Sequence, residues 1–141
     1  MPHASLVIGI GNPLRGDDGA GWRLVEELGP PHRAMHQLTP ECAALLAASQ
    51  RVLFVDACCA AAAGEPLLRP LAPGEAGPGF SHHLSPAELL AITARLYGRQ
   101  PEAWQLLLPA AGFGHGTGLT PALQARLPAA RRLLRRWLHQ A

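Results

Sequence analysis

Residues 6–21 read LVIGIGNPLRGDDGAG, and this stretch decides the fold. Leu6 to Ile10 is a short unbroken apolar run, the pattern of a strand covered on both faces. Gly9-Ile10-Gly11 ends it in a sharp turn. A helix is expected next, capped by Asp17 or Asp18, with Trp22, Val25 and Leu28 on its apolar face and Gly29-Pro30-Pro31 as its stop. A buried strand feeding a glycine-rich loop and a helix is the opening unit of a parallel α/β sheet.

Working outward, Met35 to Leu38 reads as a short second strand, and Thr39-Pro40-Glu41 opens a helix through Ala48, proline being tolerated in a first turn. Val52 to Val55 reads as a central buried strand with Asp56 at its C-terminal end. Leu67 to Leu71 adds an edge strand. A Pro- and Gly-rich loop over 72–81 leads to Ser81-His82-His83, then to a helix over Pro86 to Tyr97. Trp104 to Leu108 is a further strand, and Gly112 to Gly118, with His115 inside it, a glycine-rich loop. At ~100° per residue, Leu127, Leu133, Leu134, Trp137 and Leu138 share one arc of a terminal helix, opposite Arg131, Arg132, Arg135 and Arg136. The alternation predicts a single α/β domain over 1–141, a three-layer sandwich with a mostly parallel central sheet of about five strands and helices on both faces.

Composition narrows the function. The 141 residues are 48% apolar, enough for one core and too few for two ordinary domains. No apolar run reaches the length of a membrane span, and no cationic leader precedes Ser5, so a soluble cytoplasmic protein without a membrane partner is expected. Cys58 and Cys59 are adjacent and Cys42 stands alone, which frames neither a zinc site nor a redox pair and reads as buried free thiols. A net charge of +2 is too small to propose nucleic acid as a partner. The arginine arc of the terminal helix reads as a solvated face near the negative end of the helix dipole.

Gly9-Ile10-Gly11 does not open a dinucleotide site, because Leu14 stands where the third glycine belongs. Asp17 and Asp18 would also oppose a pyrophosphate at a helix N-terminus. They attract cations instead. One carboxylate suffices for a cap, which leaves the other free to point over the sheet rim toward Asp56. Singly, Asp56 reads as a turn former and His82 as a surface residue. Together, two carboxylates and an imidazole on one rim form a mixed oxygen and nitrogen set suited to a borderline divalent ion such as nickel or zinc. No Gly-x-Ser-x-Gly elbow supports a serine mechanism.

The segment Ile8 to Gly21 closely resembles the N-terminal signature of the hydrogenase maturation proteases. Val55-Asp56-Ala57 resembles their second block, Ser81-His82 with the following helix their third, and Gly118-Leu-Thr-Pro-Ala122 a fourth. The resemblance runs from residue 5 to about residue 135. It implies an endopeptidase that removes a C-terminal extension from the large subunit of a nickel-iron hydrogenase after nickel insertion. The partner is then the nickel-containing large-subunit precursor. The resemblance further implies a metal-binding triad of Asp18, Asp56 and His82, with Asp18 and Asp56 as the catalytic acids. Nickel would come with the substrate, and zinc can take the same place in vitro. The rival readings are a nickel-checking chaperone that does not cut, and a small-molecule metallohydrolase.

Overall fold

A computed structural model describes residues 3–58, 64–74, 84–110, 116 and 118–140. Its strands are β1 (His3–Ile10), β2 (Arg33–Met35), β3 (Ser49–Cys58), β4 (Leu67–Pro70) and β5 (Glu102–Pro109). Its helices are α1 (Ala20–Glu26), α2 (Ala43–Ala47), α3 (Pro86–Tyr97), α4 (Pro121–Gln124) and α5 (Leu127–His139). The sheet order is β2-β1-β3-β5-β4, parallel except for the antiparallel edge strand β4. This is the expected α/β architecture with a mostly parallel five-stranded sheet.

Strand alternation divides the core in two. On one face Leu6, Ile8, Val52 and Phe54 meet Ala43 and Leu46 of α2 and Leu89 and Leu90 of α3. On the other, Val7, Leu53, Val55, Leu106 and Leu108 meet Leu24 and Val25 of α1, Leu123 of α4, and Leu134 and Trp137 of α5. Helices therefore cover both faces. The second strand lies at 33–35 rather than 35–38, because its backbone pairs with Ile8 to Ile10 of β1 and Met35 is its last paired residue. The helix expected over 40–48 is a 3₁₀ turn at Pro40–Cys42 followed by α2.

The expected face of α1 holds at Val25, which is buried, and at Leu28, which packs on the same core, and differs at Trp22. A β-carbon on Gly21 would stand 2.4 Å from the Val55 carbonyl oxygen, and one on Gly9 would stand 2.4 Å from the Gly21 carbonyl oxygen. The helix thus lies directly on β1 and β3 through glycine. Ala20, Gly21, Leu24 and Val25 face the sheet. Trp22 turns aside and meets the His36 ring edge-on at 5.0 Å between centroids.

Arg51 closes the C-terminal end of α5. Its guanidinium donates to the backbone oxygens of Trp137 at 3.0 Å and Gln140 at 2.6 Å and lies 4.0 Å from the centre of the buried Trp137 ring. Charged donors on orphan carbonyls, together with a cation on an aromatic face, make this a strong contact. Arg51→Ala is expected to lower unfolding stability by about 2 kcal/mol, read as a lower urea midpoint with an unchanged slope.

The topology fixes where a ligand can bind. From β1 the chain goes to β2 on one side, then returns through α2 to β3 on the other. The carboxyl ends of β1 and β3 therefore flank the switch point, where connections diverge and leave a crevice. The β1–α1 loop, which carries Asp17 and Asp18, sits at one side of that crevice, and Asp56 near the end of β3 sits at the other.

Candidate active site

The β1–α1 loop is folded tightly on itself. Gly11 has a φ of +144°, and a β-carbon there would stand 1.9 Å from the Asp18 carbonyl oxygen. Only glycine admits that approach. The Asn12 side chain accepts the Leu14 N–H at 2.9 Å, an Asx turn, and the Asn12 carbonyl accepts the Arg15 N–H at 3.0 Å. A single 3₁₀ turn over Gly16–Gly19 then leads into α1.

Neither aspartate caps α1, contrary to the expectation from sequence. The residue at the cap is Gly19, and no side chain bonds the first turn. A 3₁₀ turn in front of the helix absorbs both acids and aims them in different directions. Asp17 is fully buried and accepts the backbone N–H of Thr120 at 2.7 Å and its hydroxyl at 2.8 Å. Asp18 is half-buried and accepts the backbone N–H of Asn12 through Oδ2 at 2.8 Å.

Asp18 and Asp56 are brought together across the crevice. The Asp56 carboxyl is pushed up to about 7, first by burial and then by the neighbouring Asp18 carboxylate, with a small offset from a hydrogen bond to the Ala57 backbone. Two acids of which one resists ionisation mark a place where negative charge is in excess. A cation would relieve that excess, and the pair could offer it two oxygen donors. Among the described residues no group of three His, Cys, Asp or Glu side chains converges. The third member of the expected triad, His82, lies outside the described residues, as do His83 and His115.

Two other histidines, His32 and His36, have described side chains near the first strands. His32 accepts the Val7 N–H through Nδ1 at 2.9 Å, so its ring is neutral, and burial holds its pKa below the ordinary value. That role is structural. His36 follows β2 on the rim of the sheet and packs on Trp22. Cys42 is a buried free thiol, as expected; Cys59 lies outside the described residues. A depression of about 450 Å³ lined by Leu6, His32, Arg33 and Ser49 opens at the amino ends of the strands, away from the acids.

Sequence reasoning missed two residues that shape the site. Asn12 builds the turn and its N–H holds Asp18, and Asn12-Pro13 was a legible turn signal. Thr120 holds Asp17 and caps α4 through its hydroxyl, which accepts the Leu123 N–H at 3.3 Å. Thr120-Pro121 carried the local mark of a helix start, though not of its partner 103 positions away. The arginine face of α5 is solvated as expected, with Arg132, Arg135 and Arg136 exposed, and at its edge Arg131 makes a two-point bond to Glu27 of the α1 end at 2.8 and 3.0 Å.

The sequence matches no protein-family model, and no curated protein matches it. Solved structures do. The hydrogenase maturating endopeptidase HybD from E. coli superposes with a TM-score of 0.79 at 21% identity, covering 97% of this chain and 93% of that one. The NiFe hydrogenase maturation protease HybD from Thermococcus kodakarensis gives 0.74 at 20% identity over 95% and 98% of the two chains. HycI, a NiFe hydrogenase maturation protease from the same organism's strain KOD1, gives 0.72 at 19% over 94% and 90%. Among the described residues no helix is long and apolar enough to cross a membrane. This chain has the fold of the hydrogenase maturation proteases.

Proposed function

We propose that this chain is an endopeptidase that removes a C-terminal extension from the large-subunit precursor of a nickel-iron hydrogenase once nickel is inserted. The observation that carries the reading is the acid pair at the switch point of this fold, with Asp56 held near neutrality beside Asp18. The solved structures of the same fold are named as maturation proteases and support it.

Peptide hydrolysis needs a group that takes a proton from the attacking water and returns one to the leaving amine. A carboxyl whose pKa lies close to 7 can do both at neutral pH, and Asp56 is such a group before a metal engages it. With nickel on one oxygen the carboxylate is held ionised, and its other oxygen is the base that takes the proton from water. Asp18 has Oδ2 bound to the Asn12 N–H, which fixes its plane and leaves Oδ1 to meet a ligand. With His82 as the third ligand, the set is open enough for a nickel ion that arrives in the substrate and keeps the substrate's own ligands. The metal then reports that the precursor is loaded, and its contact with the rim orients the scissile peptide. Zinc is expected to occupy the same ligands in vitro.

The test follows the mass of an extended large subunit with and without nickel. Wild-type protein is expected to cleave only the nickel-loaded form, and Asp18→Asn to slow cleavage by roughly 10²–10⁴-fold. Stable binding of a competent precursor without cleavage would replace the reading by a checking chaperone. A metal retained through purification would point to the small-molecule metallohydrolase.

A further inference from the structure

Asp17 is a fully buried carboxylate beside the acid pair, and the proposed chemistry does not use it. Burying a carboxylate is costly unless it is well bonded, so its partners define its purpose. Thr120 supplies two of them, at 2.7 and 2.8 Å. The Thr120 hydroxyl donates to Asp17 and accepts from Leu123, so its one proton and one of its lone pairs are engaged. A second tie lies one to three residues upstream of Asp17: Gly16 donates its N–H to the Gly116 carbonyl at 2.8 Å, and Gly116 donates to the Leu14 carbonyl at 2.9 Å. The loop that presents Asp18 is thus gripped on both sides by the segment that follows β5.

We infer that Asp17 is a positioning residue, whose clamp on Thr120 holds the β1–α1 loop so that Asp18 stays opposed to Asp56. Covalent adjacency carries the effect. With Asp17 held at both oxygens, the next residue has little freedom, and its carboxylate keeps the Asn12 N–H at 2.8 Å. The consequence for peptide cleavage rests on the peptidase reading; the geometric content does not.

The Asn12 amide is a direct reporter, since its only described acceptor is the Asp18 carboxylate. Hydrogen exchange is measured by NMR on the full chain for wild type, Thr120→Val and Thr120→Ser, and the same proteins are titrated with zinc. Valine keeps the shape and removes the hydroxyl; serine restores it. Loss of one bond to a charged group predicts about tenfold faster exchange at Asn12 in Thr120→Val, with the Ile8 and Phe54 amides of the sheet unchanged. Zinc affinity should fall by a similar factor, and Thr120→Ser should restore both. Unchanged Asn12 exchange in Thr120→Val overturns the clamp, as does acceleration only in step with Ile8 and Phe54, which would mean a general loss of stability. Failure of the wild-type protein to bind zinc would count against the metal reading alone, because the exchange comparison still decides the clamp.

Discussion

Asp56→Asn is expected to abolish precursor cleavage while making the metal-free protein more stable at alkaline pH. Removing the proton-transferring group should lower the rate by roughly 10²–10⁴-fold. The stability effect has the opposite sign. The folded Asp56 carboxyl sits at about 7 against an ordinary value of 3.8, because burial and the Asp18 charge penalise its ionised form. Between those values the folded state holds a proton that the unfolded chain has released, so this group's contribution is fully present below pH 4 and is lost as pH rises through 7. Asparagine removes the cost of an ionised Asp56. At pH 8 the variant should therefore be more stable than wild type by about 4 kcal/mol, and the difference should vanish near pH 4. Urea melts across that range check it. A variant no more stable than wild type at pH 8 would mean that neither burial nor the Asp18 charge lifts the Asp56 carboxyl in the folded protein.

Gly11→Ala is expected to be nearly as damaging to cleavage, for a purely steric reason. The new methyl would stand 1.9 Å from the Asp18 carbonyl oxygen, a backbone atom that cannot swing aside, and φ at this position is +144°. The loop must open. Asp18 then leaves both Asn12 and Asp56, and activity should fall at least about 100-fold with a stability loss of roughly 2–4 kcal/mol. Gly98→Ala is the control. Gly98 ends α3 at φ +70° with no atom within 4 Å of an added β-carbon, so its cost is backbone strain of about 1 kcal/mol without an effect on cleavage. Equal activity loss in both variants would show that stability alone, and not the loop, governs cleavage.

Much of the fold was legible because its signals are local. The helix expected over Pro86 to Tyr97 has those bounds: Ser85 and Glu88 form a reciprocal capping box at its start, and Gly98 in the left-handed region ends it. The apolar face of the terminal helix was legible too, and Leu134 and Trp137 are buried there. The second strand was misplaced because only three residues pair, and that pairing is set by β1 rather than by the strand's own apolar content. Trp22 was expected on the apolar face of α1 with Val25 and Leu28, yet the contact of Gly21 with Val55 sets the rotation of α1 and turns Trp22 aside.

By itself the sequence determined the class of fold, the buried strands, the ends of α3, and the three aspartates worth weighing, since periodicity, glycine and proline act over a few residues. Only the tertiary structure decided which aspartate does what. Asp17 and Asp18 are chemically the same and adjacent, and no local rule separates them. Their division of labour comes from Thr120, 103 positions away, which takes Asp17 into the interior, and from the strand order, which sets β3 beside β1 and so brings Asp56 to Asp18. Burial and the field between two carboxylates depend on that packing, and they are what lift the Asp56 carboxyl to about 7.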